Sequence, residues 1–233
     1  MKIGILGSGN MGRALGTRIA HAGHDVFFGA RKVDDARAAA DIAAKHATGA
    51  APRSGSIDDA ALFGDLLLWT MRETQPSKVL ANAGVLDGKV LVDLNNRDYA
   101  KGVKANEPVR ESLVEALQRN APKTRVVKAF NTIGMESFDT SRAALEKTGA
   151  QVFLAGDDAD AKGLVSVIAA DLGFASVDFG NGAVAMRIVE QLGDAIRWLM
   201  IDGKRGGQAH FIVTQLPAPD EATFGERATS NYA

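Results

Sequence analysis

The sequence predicts an α/β protein whose sheet is doubly wound and mostly parallel, with helices on both faces. Three observations carry that expectation. Short apolar runs alternate with longer stretches of helical period along most of the chain, the pattern of a sheet covered on both sides. The first run, Lys2 to Leu6, passes into Gly7-Ser8-Gly9-Asn10-Met11-Gly12, then a helical stretch to Ala22 and a second apolar run, Val26-Phe27-Phe28. The chain has 233 residues, 46% hydrophobic and 24% charged, enough to enclose such a sheet in an ordinary globular core.

The elements follow in order. Asp34 to His46 is Ala-rich and opens on two acids, which favour a helix N-terminus. Ala51 to Ser56 has room for a short third strand. Asp65 to Thr70 is the fourth strand, Pro76 to Ala83 a helix with proline in its first turn, and Lys89 to Leu94 the fifth strand after an Asp87-Gly88 turn. Asn95 to Glu107 is polar and loop-like, Val109 to Asn120 is helical, and Arg125 to Ala129 is the sixth strand. Two further strands, Val152 to Ala155 and Ala175 to Phe179, flank a helix over Ala159 to Leu172. After Gly180-Asn181-Gly182 comes one long helix, Ala183 to Ile201, with an apolar stripe on Val184, Ile188, Val189, Leu192, Ile196 and Leu199. The division expected is a Rossmann-type domain over 1–180, a C-terminal helical segment covering the cleft over 181–216, and an extended tail over 217–233.

The opening turn carries the chemistry. A G-x-G-x-x-G run between a strand and a helix, with a second strand following, signifies a bound dinucleotide. Gly7 lets the chain turn off the strand, Gly9 lets backbone approach a pyrophosphate, and Gly12 lets helix and strand close on each other. Ser8, Asn10 and Met11 complete the loop whose N–H groups face the phosphates. Past the second strand an NAD site wants an acid for the ribose hydroxyls. This chain has Ala30, Arg31 and Lys32 instead, a cationic pair suited to a 2′-phosphate, so the cofactor expected is NADP(H).

Ligands of such sheets lie beyond the carboxyl ends of the strands. Thr70 and Met71 after the fourth strand and Asn95 after the fifth are placed to flank the diphosphate and nicotinamide ribose. Ala129 ends the sixth strand, and Asn131 and Thr132 beyond it are placed to reach the nicotinamide carboxamide and a substrate carbonyl. They are the only nicotinamide-side candidates, and no residue stands out as an acid or base. His21, His24, His46 and His210 read as structural, Lys128 as a structural or solvated strand lysine, and Asp194 as a helix-surface acid. Tyr99 and Tyr232 fall in a loop and at the terminus, and no Tyr-x-x-x-Lys pair occurs. Carbonyl reduction normally needs a proton donor, whereas hydride transfer between two ring cofactors needs mainly stacking and alignment. The residues suit the second.

Composition excludes other classes. A net charge of −1 argues against nucleic-acid and membrane-surface roles. The absence of cysteine excludes disulfides, thiolate catalysis and Cys-ligated metal, and no metal site is expected. With no leader pattern and no apolar run of membrane length, a cytoplasmic location is expected.

GSGNMGRALGTRIAHAGHDVFFGARK, LLLWT, GKVLVDLNN, VVKAFNTIG and FLAGDDADAKGLVSVIAADLGF resemble the NADPH-dependent reductases of the deazaflavin coenzyme F-420. They are similar as well to the NADPH-binding domain of the six-helix membrane metalloreductases, whose acceptor is a flavin. The resemblance runs to about Ile201. It implies a Rossmann-type domain with the acceptor ring stacked on nicotinamide, Ser8 to Met11 on the diphosphate, Arg31 on the 2′-phosphate, Asn131 and Thr132 beside the nicotinamide, and a homodimer built partly from the C-terminal helix. Ala30 stands where the family often has Ser, and Asn96 where it often has Pro. The expected function is an NADP(H)-dependent oxidoreductase acting on a deazaflavin, a flavin or a small organic acceptor. Two rivals are a non-catalytic NADP(H)-binding redox sensor and a reductase of small ketones or imines that draws its proton from Asp194.

Overall fold

The computed structural model describes residues 1–99, 102, 104 and 106–215; the expected tail over 217–233, with Tyr232, lies outside them. Six parallel strands form the main sheet: β1 (Lys2–Leu6), β2 (Asp25–Gly29), β3 (Arg53–Gly55), β4 (Leu66–Trp69), β5 (Val90–Asp93) and β6 (Arg125–Lys128). Their order is β3-β2-β1-β4-β5-β6. The winding order reverses between the parallel neighbours β1 and β4, so the connections from their carboxyl ends diverge and open a crevice. Register is continuous there, Ile3 opposite Leu66 and Leu6 opposite Trp69.

The strands are apolar on both sides because both sides are covered. Ile3, Ile5, Leu66 and Leu68 pack into one core layer, and Leu6, Leu67, Trp69 and Leu91 into the other, the alternation a pleated strand imposes. The helices are α1 (Asn10–His21), α2 (Val33–Ala44), α3 (Ile57–Phe63), α4 (Leu113–Asn120), α5 (Arg142–Thr148), α6 (Ala159–Leu172) and α7 (Gly182–Ile201). Gly12 and Gly16 lie on the buried face of α1. A Cβ on Gly16 would come within 2.5 Å of the Phe28 ring, so α1 sits on β2 at a distance only glycine permits.

Several expectations are corrected. The segment from Pro76 to Ala83 is not an α-helix but two short 3-10 turns, Pro76–Lys78 and Ala83–Leu86; the Asn82 carboxamide accepts from Gly84 N–H and starts the second turn afresh. Helix α3 was not foreseen, although Ser56 and Asp59 form a capping box, Asp59 N–H donating to Ser56 Oγ and Ser56 N–H to Asp59. Helix α4 starts at Leu113 and not at Val109, because Ser112 and Glu115 make the same box. Helix α5 and a 3-10 turn over Met135–Asp139 were also unforeseen. The last two strands, β7 (Gln151–Leu154) and β8 (Ala175–Asp178), pair in parallel as a separate small sheet. One antiparallel bridge, Lys128 to Ala155, joins it to β6.

The face of α7 differs too. Val184 and Ile188, read as part of the apolar stripe facing inward, are 70% and 45% exposed. The buried face is Ala185, Met186, Val189, Glu190, Gly193, Asp194 and Ile196. Two acids enter it because each meets a cation, Lys128 for Glu190 and the partly buried Arg97 for Asp194, and the expectation of Asp194 as a surface acid is overturned: it is wholly buried. Among the histidines, His24 lies between the N-terminal ammonium and Asp171, and His210 accepts the Gln151 N–H at 2.7 Å, consistent with structural roles.

Arg125 at the start of β6 grips Asp158, the N-cap of α6, through Nε at 2.7 Å and Nη2 at 2.8 Å, while Asp158 also accepts the Ala161 N–H. Arg125 and that cap hold the Asp158 carboxyl down at about 2. A depressed native pKa stabilises above the unfolded carboxylate range and loses that contribution as pH falls through the native value. Asp158→Ala is expected to cost about 1 kcal/mol at pH 7, as for a lost N-cap, with wild type and variant converging as pH falls from 4 towards 2. Chemical denaturation across that range checks it, and a constant difference would refute it.

Candidate functional site

The loop between β1 and α1 is held by its lack of side chains. Gly7 has φ +113°, a region open to glycine, and its N–H donates to Gly29 O at 3.0 Å. A Cβ on Gly12 would lie 2.1 Å from Gly7 O, and one on Gly7 would lie 2.4 Å from Thr70 Oγ1. The Thr70 hydroxyl is placed between Leu6 O at 3.0 Å and Gly7 O at 2.7 Å, so β4 clamps the turn that leaves β1. Gly9 precedes α1 with no side-chain cap, and a Cβ there would meet nothing within 4 Å. The first N–H groups of α1 therefore face open space beside bare backbone, which is what an anion requires.

A cleft of about 780 Å³ opens there, lined by Gly7, Ser8, Gly9, Ala30, Arg31, Lys32, Thr70 and Met71. Ser8 Oγ donates to Gly29 O at 3.1 Å, so its hydroxyl serves the turn. Arg31 and Lys32 are exposed and have no ion-pair partner among the described residues. Two charged lining residues escaped the sequence reading, Arg13 from α1 and Asp35 from the first turn of α2. The spacing Gly9 to Arg13, one helical turn, was the available signal for the first.

The next hollow, about 440 Å³, is lined by Asn10, Met11, Gly12, Thr70, Arg72 and Asn95 among others. The Asn95 amide is spent internally, donating to Trp69 O, Met71 O and Asp93 Oδ1 at 2.9, 2.9 and 2.7 Å. Beyond Arg72 lies a third hollow of about 190 Å³, walled by the loop after β5, the loop after β6 and α7. Ala129 lines none of these. It is fully buried in the strand ladder, its N–H on Asp93 O.

Phe130, with φ +60°, makes the bend that turns Asn131 and Thr132 toward the third hollow; such a conformation in a non-glycine residue is strained. Asn131 Nδ2 donates to Asn96 Oδ1 at 3.1 Å and Val189 O at 2.9 Å, and Asn96 Nδ2 returns to Asn131 O at 2.7 Å. Both N–H groups of the Asn131 amide are thus used, which leaves its Oδ1 buried without a partner, as is Thr132 Oγ1. Native buried polar atoms are nearly all paired, yet three residues lining this hollow carry an unpartnered one: Asn131 Oδ1, Thr132 Oγ1 and Arg97 Nε.

Buried charges brace this end. Lys128, wholly buried, donates to Asp93 at 2.7 Å, to Glu190 at 3.1 Å and to Asn95 O. Burial alone would depress its pKa; Asp93 and Glu190 overcome that and raise it. Burial pushes the Glu190 carboxyl up. Glu190 escaped the sequence reading, although a lysine inside an apolar strand demands a buried acid somewhere. One turn on, Asp194 accepts from Arg97, Tyr99 and Gln191. Burial and then Asp194 push the Tyr99 phenol well above its usual range, so it stays protonated, and Arg197 lies over its ring at 3.9 Å.

The residues present fit a dinucleotide laid along the strand ends: a free helix N-terminus and bare glycine turn at the centre, cations at one end and orphaned polar atoms at the other. The described residues include no metal-ligating cluster and no helix long and apolar enough to cross a membrane.

Comparison with known proteins agrees. Residues 2–97 match the family model of the coenzyme F420-dependent NADP oxidoreductases. The chain is 30% identical over 190 residues to metalloreductase STEAP3 of Rattus norvegicus, covering 80% of this chain and 35% of that protein, so it spans about a third of that relative. A crystal structure described as an F420-dependent NADP-reductase from an Arthrobacter species superposes with a TM-score of 0.76 at 29% identity, covering 92% of this chain and all of that one. An imine reductase from Myxococcus stipitatus in complex with NADP⁺ shares the fold, with a TM-score of 0.58 at 16% identity over 88% of this chain and 62% of that one. The resemblance read from the sequence holds: over residues 2–97 and in its fold the chain is similar to NADP-dependent oxidoreductases.

A Cβ on Gly193 would lie 2.0 Å from Asn96 Oδ1 and 2.7 Å from Asn131 Nδ2. On helix propensity alone Gly193→Ala would stabilise by about 1 kcal/mol. The expectation here is the reverse, a loss of about 1–3 kcal/mol from overpacking, read by denaturant titration; a gain would show that the Asn96–Asn131 pair does not need the bare helix face.

Proposed function

We propose that this NADP-dependent oxidoreductase transfers hydride between NADPH and a deazaflavin, a flavin or a small organic acceptor seated in the hollow beside Asn131 and Thr132. The observation that carries the reading is the row of three adjoining hollows along one sheet edge, with Arg31 and Lys32 at one end and two orphaned buried oxygens at the other. The backbone of Ser8 to Met11 and the start of α1 hold the diphosphate, and Arg31 with Lys32 and Arg13 the 2′-phosphate. Asp35 on the same wall tempers that attraction and favours ribose hydroxyls. Asn131 Oδ1 accepts from the nicotinamide carboxamide, and Thr132 Oγ1 meets the acceptor.

NADPH when bound supplies the hydride. The chain contributes alignment, and holding two reactants in register is worth several kcal/mol of barrier, about 7–11 at the limit. Asp194 cannot serve the ketone or imine reading as first conceived, since its oxygens are taken by Arg97, Tyr99 and Gln191 and it is wholly buried.

We further propose a cytoplasmic homodimer. Val184, Ile188 and Trp198 stand on one face of α7, 70%, 45% and 51% exposed, and an apolar stripe of that kind suits a second copy of the same helix. Light scattering is expected to give twice the chain mass, with Trp198→Glu reducing it to one; a monomeric wild type would refute the dimer.

Two measurements test the function together. NADPH absorbance is expected to fall when the protein is mixed with at least one member of a panel of deazaflavins, flavins, quinones and small carbonyl compounds. Tight NADPH binding with no turnover on any acceptor would favour the sensor. In calorimetry Arg31→Ala is expected to weaken NADPH about tenfold or more and NADH little, the loss of a charge-assisted pair. Equal losses would show that Arg31 does not meet the 2′-phosphate.

A further inference from the structure

We infer, resting on the hydride-transfer reading above, that the third hollow is built for a compact acceptor bearing a carboxylate, and that Arg197 selects it. At about 190 Å³ the hollow is smaller than the roughly 300 Å³ at which pockets for drug-sized ligands begin. Its described walls carry three arginines, Arg72, Arg97 and Arg197, and no acidic side chain.

The three are not equivalent. Arg97 is a strut, with Nη2 directed to Asp194, to Lys104 O at 3.3 Å and to Glu107 O at 2.8 Å. Arg72 is 55% exposed, lies 3.6 Å from Asp98 and donates Nε to Asn96 O at 3.3 Å. Arg197 has no carboxylate in ion-pair reach among the described residues. Its guanidinium carbon lies 3.9 Å over the Tyr99 ring, a contact that holds the side chain, and none of its N–H groups is hydrogen-bonded among the described residues. Asp194, one turn before it on α7, is the natural counter-charge, but Arg97, Tyr99 and Gln191 already occupy it. The helix therefore presents the hollow with a positive charge whose partner is spent elsewhere.

Asn131 Oδ1 and Thr132 Oγ1 stand unpartnered on the same wall, their residues 4% and 2% exposed. A carboxylate accepts two parallel bonds from a guanidinium, and a C=O or C=N carbon attached to it then falls toward Thr132. The unsaturated carbon gains the hydride, its oxygen or nitrogen gains a proton drawn from solvent, and NADPH is oxidised to NADP⁺.

The test is calorimetry on the full chain saturated with NADP⁺, which needs no turnover. The probes are 2-oxo acids of two to six carbons and the matching neutral 2-oxo amides. At least one acid is expected to bind about tenfold or more tighter than its amide, the scale of a charge-assisted pair. Arg197→Gln should abolish that preference while leaving the amide affinity and the melting temperature in place, and Arg197→Lys should restore part of it. Equal binding of acid and amide, an unchanged preference in Arg197→Gln, or no binding by any acid would overturn the inference. Failure of the wider reading shows separately, as no NADPH oxidation by any 2-oxo acid or by any acceptor of the deazaflavin, flavin and quinone panel.

Discussion

The architecture of the site depends on one steric constraint, that the turn leaving β1 carries no side chains where backbone meets backbone. A methyl group on Gly12 would collide with the Gly7 carbonyl, and one on Gly7 with the Thr70 hydroxyl. Only because both positions are bare can α1 start directly above the strand with its first N–H groups free. Thr70 reads that constraint from the neighbouring strand, with two carbonyls of the turn within reach of its one hydroxyl. The sheet order then does the rest, since β1 and β4 are adjacent and their connections part above the turn.

The other end of the cleft is set by buried charge. Lys128, Asp93 and Glu190 tie the ends of β5 and β6 to α7, and Asp194 ties the loop after β5 to the same helix through Arg97 and Tyr99. Buried ion pairs contribute little net stability compared with apolar packing, but removing one partner costs about 3–5 kcal/mol. Their service here is positional. They fix the distance between α7 and the strand ends, and Gly193 allows that distance to be short enough for the Asn96–Asn131 exchange.

What was legible in the sequence is what local chemistry determines. The glycine turn, six main-sheet strands, the helix over 159–172 and the cationic pair at Arg31 and Lys32 follow from residue type and spacing. Even so, Ser56 and Asp59 announced α3 and were passed over, and Ser112 with Glu115 marked the true start of α4. What was not legible depends on pairing across long separations. Asp194 and Glu190 sit on a helix whose pattern alone made Val184 and Ile188 the inward face. Their burial follows from Arg97 and Lys128, residues far away in the chain. Asn95 and Ala129 were placed correctly at strand ends, but the direction of a side chain at a strand end is a tertiary fact. The Asn95 amide turns back to the strands, and Ala129 packs into the core.

The likeness to coenzyme F420-dependent NADP oxidoreductases resides in residues 2–97, which build the cleft at the glycine turn and the ribose end, whereas the third hollow also draws on residues 131–133 and 193–200. The family likeness thus covers the nucleotide end of the proposed site, and the proposed acceptor end draws in part on residues outside it. A crystal structure of the full chain with NADPH tests the account most directly. It is expected to show the diphosphate on the N–H groups that open α1, the 2′-phosphate against Arg31, and the nicotinamide carboxamide on Asn131 Oδ1 with one ring face open to Arg197. A dinucleotide bound away from the Gly7–Gly12 turn, or running in the opposite direction along the cleft, would contradict it.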